Sequence, residues 1–128
     1  MSSKLIIIED DLAIIHLLKR YMKRIDWHPE LIHFEYGTDA LAYFAENQCD
    51  NSVLLLDLNL PDMSGIDILE NLRQNPDYID LPVIVLTTSN LDDERHDCLA
   101  LGVDQFLEKP VHFEDLLLNL ANLDLISA

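Results

Sequence analysis

The chain has 128 residues, 49% of them hydrophobic, and its 24 acidic against 8 basic residues give a formal charge of −16. That length suits one domain with a single core, and the negative field disfavours direct binding to nucleic acid or to anionic lipid. No segment approaches the roughly 18 uninterrupted apolar residues of a membrane helix, and the stretch before the first apolar run is too short for a signal peptide, so a cytoplasmic location is expected.

Residues 4–9, KLIIIE, read as a strand buried on both faces. Asp11 is placed to cap a helix over residues 12–24. There Leu12, Ile15, Leu18, Met22 and then Ile25 recur at helical spacing, and Lys19, Arg20, Lys23 and Arg24 suit the negative end of the dipole. A short strand is expected at 30–34. Gly37 and Thr38 break the chain and cap a helix at 38–47, with Leu41 and Phe44 inward. Residues 53–57 form a second continuous apolar run, and 60–62 are loop. Ser64-Gly65 leads into a helix carrying Ile66, Ile68, Leu69 and Leu72, which ends before Pro76. Residues 82–87 are another β-rich run, 91–100 a polar helix closed by Gly102, 104–107 a short strand and 111–123 a last helix. Strand and helix alternate five times, which calls for a five-stranded parallel sheet with helices on both faces, an α/β doubly wound fold.

In such a sheet, sites form at the carboxyl ends of the strands. The first strand ends in Glu9-Asp10-Asp11, the third in Asp57 and the fourth in Thr87-Thr88-Ser89, and Lys109-Pro110 follows the fifth. With the strand order 2-1-3-4-5, Asp57 sits beside Glu9 and Asp10. Three close carboxylates repel one another, and a hard divalent cation with oxygen ligands, such as Mg²⁺, relieves the repulsion. The Asn59 backbone carbonyl can complete its shell. Lys109 offers an ammonium and Thr87 a hydroxyl, so the set can stabilise a phosphoryl group transferred to a carboxylate. Cys49 and Cys98 have no CxxC neighbour and read as reduced thiols. The histidines His16, His28, His33, His96 and His112 show no HExxH or paired spacing.

Four segments carry a family resemblance: IIIEDD at 6–11, LLLDLNLPDMSG at 54–65, PVIVLTTS at 82–89 and FLEKP at 106–110. Their order and separation resemble the receiver domain of two-component response regulators, across essentially the whole chain. The resemblance implies a flavodoxin-like (βα)₅ fold and a single receiver domain over residues 1–128 with no effector domain. It implies that Asp57 accepts a phosphoryl group in a Mg²⁺-dependent reaction, with Mn²⁺ as a substitute ion. Asp10 matches the direct metal ligand, Glu9 a ligand acting through water, and Asn59 the carbonyl donor. Thr87 matches the switch hydroxyl, Lys109 the lysine that pairs with the phosphoryl group, and Phe106 the aromatic whose rotamer follows Thr87. Phe106 stands where Tyr is common, and Thr88 is bulkier than the Ala, Gly or Ser frequent there. "LTTS" with "DLNLP" resembles the single-domain regulators that serve bacterial and cyanobacterial phytochrome kinases.

The implied role is signalling, with the domain assisting only its own phosphorylation and dephosphorylation. The implied partners are a sensor histidine kinase or histidine phosphotransfer protein and a downstream protein target. Leu118, Ala121 and Leu125 lie off the inward stripe of the last helix (Phe113, Leu116, Leu117, Leu120, Leu123). Such residues mark either an exposed apolar patch or a tail that folds back over the core; for the first case the family resemblance implies a docking or homodimer face formed by the fourth helix, fifth strand and fifth helix. Three other readings share parts of the pattern. A metal-dependent phosphohydrolase with an Asp nucleophile usually has a second acid near the nucleophile, where this chain has Asn59. A flavodoxin-like cofactor binder needs a phosphate loop, and Gly37, Gly65 and Gly102 form none. A receiver-like scaffold that is never phosphorylated would not need the full set of side chains present here.

Overall fold

Strands that bury both faces need no alternation of polar and apolar residues, and the two longest apolar runs take the centre of the sheet. A computed structural model describes residues 4–48, 51–88, 92–109, 112 and 114–116. In chain order these form β1 (Lys4–Ile8), α1 (Leu12–Arg24), β2 (Glu30–Phe34), α2 (Gly37–Glu46), β3 (Ser52–Asp57), α3 (Gly65–Arg73), β4 (Val83–Thr87), α4 (Asp92–Ala100) and β5 (Gln105–Glu108). The strands pair in parallel in the order β2-β1-β3-β4-β5. Every residue of β3 is buried, while the edge strand β2 is at most half-buried.

Alternation along the strands builds two cores. Leu5, Ile7, Val53, Leu55, Ile84 and Leu86 face α1 and Leu116. Ile6, Ile8, Leu54, Leu56, Val83 and Val85 face the inward residues of α2, α3 and α4. Among the described residues, no helix is long and apolar enough to cross a membrane.

Local chemistry sets the element ends. Asp11 accepts from the Ala13 N–H at 3.0 Å and caps α1, and Ser64 caps α3 through the Ile66 N–H. Gly102, at φ +75°, ends α4. The Val103 N–H returns to the Cys98 carbonyl and the Gly102 N–H to that of Leu99, the paired bonds of a left-handed C-terminal cap.

Two sequence expectations need correction. Leu12 is not part of the buried stripe; it is 47% exposed in the first turn of α1. Thr38 does not cap α2. Gly37 and Thr38 lie inside its first turn, Tyr36 occupies the cap position without a side-chain bond, and the cap comes from Asp62. The helix expected at 111–123 is described only at 114–116, where Leu116 is buried. Residue 112 is described and is not helical; Phe113, Leu117, Leu118, Leu120, Ala121 and Leu123, and Leu125 beyond them, lie outside the described residues. So do Ser89, Pro110, Leu91 and Cys49.

Arg73, at the end of α3, ties together the edge of the sheet opposite the candidate site. Its guanidinium donates to the carbonyls of Leu101 (2.7 Å), Tyr78 (2.8 Å), Gly102 (3.1 Å) and Ile79 (3.2 Å). One planar fork thus serves the chain after α3 and the cap of α4. Arg73→Ala leaves these carbonyls without their donor, and urea unfolding should show a loss of roughly 2–3 kcal/mol. Arg73→Lys should recover only part of it, because an ammonium cannot span both segments.

Candidate functional site

The register brings the acidic residues together. Ile8 pairs with Leu56 across β1 and β3, so the next residue on each strand is a carboxylate, Glu9 and Asp57. Asp57 pairs with Leu86, and β4 then ends at Thr87. Thr87 pairs with Glu108 on β5, and the Lys109 N–H donates to the Thr87 carbonyl at 2.8 Å. If alternation is continued past the strand ends, Glu9, Asp57 and Lys109 fall on the face that α1 covers. Thr87 falls on the other face. Phe106 pairs with Val85 on that same face, one diagonal step from Thr87.

Oxygens of Glu9, Asp10 and Asp57 lie within 4.8 Å of one another. Glu9 is fully buried, Asp57 is 3% exposed and Asp10 faces solvent. Lys109 sits between the two buried carboxylates. Its Nζ is 2.6 Å from Glu9 Oε1 and 3.2 Å from Asp57 Oδ2. The second contact is a hydrogen bond; the first is an ion pair whose angle is not that of one. The other Asp57 oxygen accepts from the Asn59 N–H at 3.0 Å, closing a tight turn. The Glu9 carbonyl accepts from His33 Nε2 at 2.8 Å, which fixes the proton on that nitrogen.

Burial, followed by the hydrogen bond and charge of Asp57, pushes the Glu9 carboxyl up to about 7 against the pull of Lys109. Burial alone would lower the Lys109 ammonium, but contact with Glu9 and the charge of Asp57 outweigh it and raise that group. One ammonium therefore answers three carboxylates. The deficit of positive charge and the all-oxygen donor set suit a hard divalent cation.

Six of the seven residues expected at the site are at this end of the sheet, and Phe106 lies within β5, level with Val85. Glu9, Asp10, Asp57 and Lys109 form one cluster, and Asn59 borders it through its backbone. Thr87 is buried at the end of β4. Phe106 packs against the α2–α4 core, with the Arg95 guanidinium 5.1 Å from its ring centroid, a cation–π contact. Sequence reasoning missed Arg95, His33 and Asp62 as contributors. Nothing in the local sequence around Gly37 signals Asp62, which caps the helix from about 25 residues away.

Burying the charge of Glu9 makes stability depend on pH. In the folded chain the carboxyl keeps its proton to about 7, against 4.5 for a free glutamate. Its contribution is therefore full below the lower value and is lost as pH rises through the higher one. In EDTA, urea unfolding should show Glu9→Gln gaining on the wild type by on the order of 2 kcal/mol from about pH 5 to about pH 8.

Comparison with known proteins identifies the family and the fold. A family model described as the response regulator receiver domain matches residues 5–121. The chain is 34% identical over 117 residues to response regulator Rcp1 of Synechocystis, covering 88% of this chain and 80% of that protein. The crystal structure of the Mn(2+)-bound form of Rcp1 superposes with a TM-score of 0.81 at 30% identity, covering 98% of this chain and 96% of that one. A receiver domain from Rhodospirillum rubrum gives 0.77 at 36% identity, covering 95% and 91%. The phosphorylated cyanobacterial phytochrome response regulator RcpA gives 0.79 at 25% identity, covering 97% and 92%.

Proposed function

The chain belongs to the response regulator receiver domain family, a module of two-component signalling, and from that premise we propose that Asp57 is its phosphoacceptor. The observation that carries this is the cluster of Glu9, Asp10 and Asp57 oxygens with the Lys109 ammonium inside it. An Asp57 oxygen forms the new O–P bond while the N–P bond of a phosphohistidine donor breaks. Mg²⁺, or Mn²⁺ in its place, would be held by Asp10, Asp57 and the Asn59 carbonyl, with Glu9 acting through water. When bound, the ion would offset negative charge on the transferred phosphoryl oxygens. That the similar regulator Rcp1 has a Mn(2+)-bound form supports a divalent ion here.

The chain's own residues supply the rest. The Asn59 N–H and Lys109 orient the Asp57 carboxylate, and Lys109 remains to pair with the phosphoryl group. Thr87 is the switch hydroxyl, and its diagonal relation to Phe106 gives the aromatic a route by which to respond.

The role is that of a receiver domain, which signals and catalyses only its own phosphorylation and reset. A sensor histidine kinase or a histidine phosphotransfer protein supplies the phosphoryl group. The likeness to Rcp1 and RcpA points to a phytochrome-type kinase. Output passes to a downstream protein, or to a second copy, through the face formed by α4, β5 and the following helix. The activity belongs to the cytoplasm, where such kinases present their phosphohistidine.

Acetyl phosphate with Mg²⁺ tests the assignment by intact mass. The wild type should gain one phosphoryl group, and EDTA should abolish the gain. Asp57→Asn should gain none at any donor concentration. Unchanged labelling of Asp57→Asn would refute the assignment.

A further inference from the structure

The loops that follow β2 and β3 leave the sheet at its carboxyl edge, and one side chain joins them. Asp62, between β3 and α3, accepts the Gly37 N–H on Oδ1 and the Thr38 N–H on Oδ2, each at 2.9 Å. These are the first amides of α2, which lack an intrahelical partner. Tyr36, in the cap position, contributes no side-chain bond. The fork is therefore the cap of α2, supplied from about 25 residues away.

Packing reinforces the joint. Gly37 is buried against Met63, so closely that a Cβ there would lie 2.5 Å from Met63 Cγ and 2.9 Å from Ile68 Cδ1. The far side of the same loop is closed by the Asn59–Ser64 bridge and by the Gly65 N–H on the Leu58 carbonyl at 2.9 Å. A Cβ on Gly65 would lie 2.7 Å from the Asp57 carbonyl oxygen, so only glycine allows that approach. Asn59 hangs between these anchor points, with its N–H on Asp57.

We propose that Asp62 is a positioning residue for the metal site: by gripping the N-terminus of α2 it fixes the 58–65 loop, and with it the Asn59 carbonyl. The inference rests on the assignment of Mg²⁺ to Glu9, Asp10 and Asp57, and adds that the ion's affinity depends on a helix that supplies no ligand. Linkage is reciprocal, so Mg²⁺ binding slows hydrogen exchange at the Gly37 and Thr38 amides.

The test is calorimetric titration with MgCl₂ of the wild type, Asp62→Ala, Asp62→Asn and the double variant Tyr36→Ser/Asp62→Ala, alongside their melting temperatures. Asp62→Ala weakens Mg²⁺ binding roughly tenfold and lowers the melting temperature. Asp62→Asn keeps one acceptor oxygen and recovers most of the affinity. Tyr36 already has extended backbone angles suited to a cap. A serine there caps α2 locally, restoring the melting temperature but not the Mg²⁺ affinity.

Affinity that returns together with the melting temperature in the double variant overturns the proposal, because Asp62 is then only a cap. An Asp62→Asn protein as weak as Asp62→Ala overturns it as well, since the effect is then one of charge. A wild type that binds no Mg²⁺ overturns the metal assignment and this inference together. A wild type that binds Mg²⁺ no more tightly than Asp62→Ala overturns this inference alone.

Discussion

Like charges held close together at the edge of an apolar sheet are the constraint around which this structure is arranged. Glu9 and Asp57 follow paired residues of β1 and β3, so the strand register that buries Ile8 and Leu56 also forces two carboxylates side by side. Separating them would shift a strand by a residue and turn its apolar set inside out. The core therefore holds the carboxylates in place despite their repulsion. Lys109 relieves part of that repulsion, and it is itself set by the bond between its N–H and the Thr87 carbonyl. A buried ion pair of this kind contributes little net stability after desolvation. What it adds is a site in which a cation or a phosphoryl group changes the balance strongly.

The supporting ties lie at both ends of the sheet. Opposite the site, Arg73 gathers four carbonyls from two segments. At the site, Asp62 gathers two amides from a third. Both are charged groups bonded to backbone, where geometry is most strictly defined. Neither contributes to the apolar cores; each fixes loops that the cores leave free. A parallel sheet needs such ties, because its connections cross from one edge to the other and none of them is a tight hairpin.

The sequence revealed most where burial left no choice. The run ending at Asp57 could only be a central strand, and the strand order then predicted that Glu9 and Asp10 would be its neighbours. Helical period located α1 to the residue, yet it misjudged Leu12, because periodicity gives a direction but not whether sheet lies beneath that turn. The cap of α2 was illegible for a different reason. Capping rules are local, and Asp62 acts across the fold. Arg73 lies in the last turn of α3, where a cation ordinarily compensates the helix dipole, and nothing near it in sequence announces the carbonyls of Leu101 and Gly102. Burial of Glu9 is likewise a tertiary property: an acidic residue at a strand end is ordinarily wet.

The two faces of the sheet divide the labour. Alternation sends Glu9, Asp57 and Lys109 toward the α1 side, and Thr87 and Phe106 toward the side of α2, α3 and α4. Any influence of Asp57 on the aromatic has to cross β4, which lies between β3 and β5 and ends at Thr87. Phe106 is held on that far side by the α2–α4 core and by the Arg95 guanidinium. An exposed cation–π contact is worth roughly 0.5–1 kcal/mol, which is small beside the Coulombic change that a phosphoryl group brings to a buried site. On the proposed reading, in which the ring responds to phosphorylation of Asp57, the contact with Arg95 is strong enough to bias the ring and too weak to hold it.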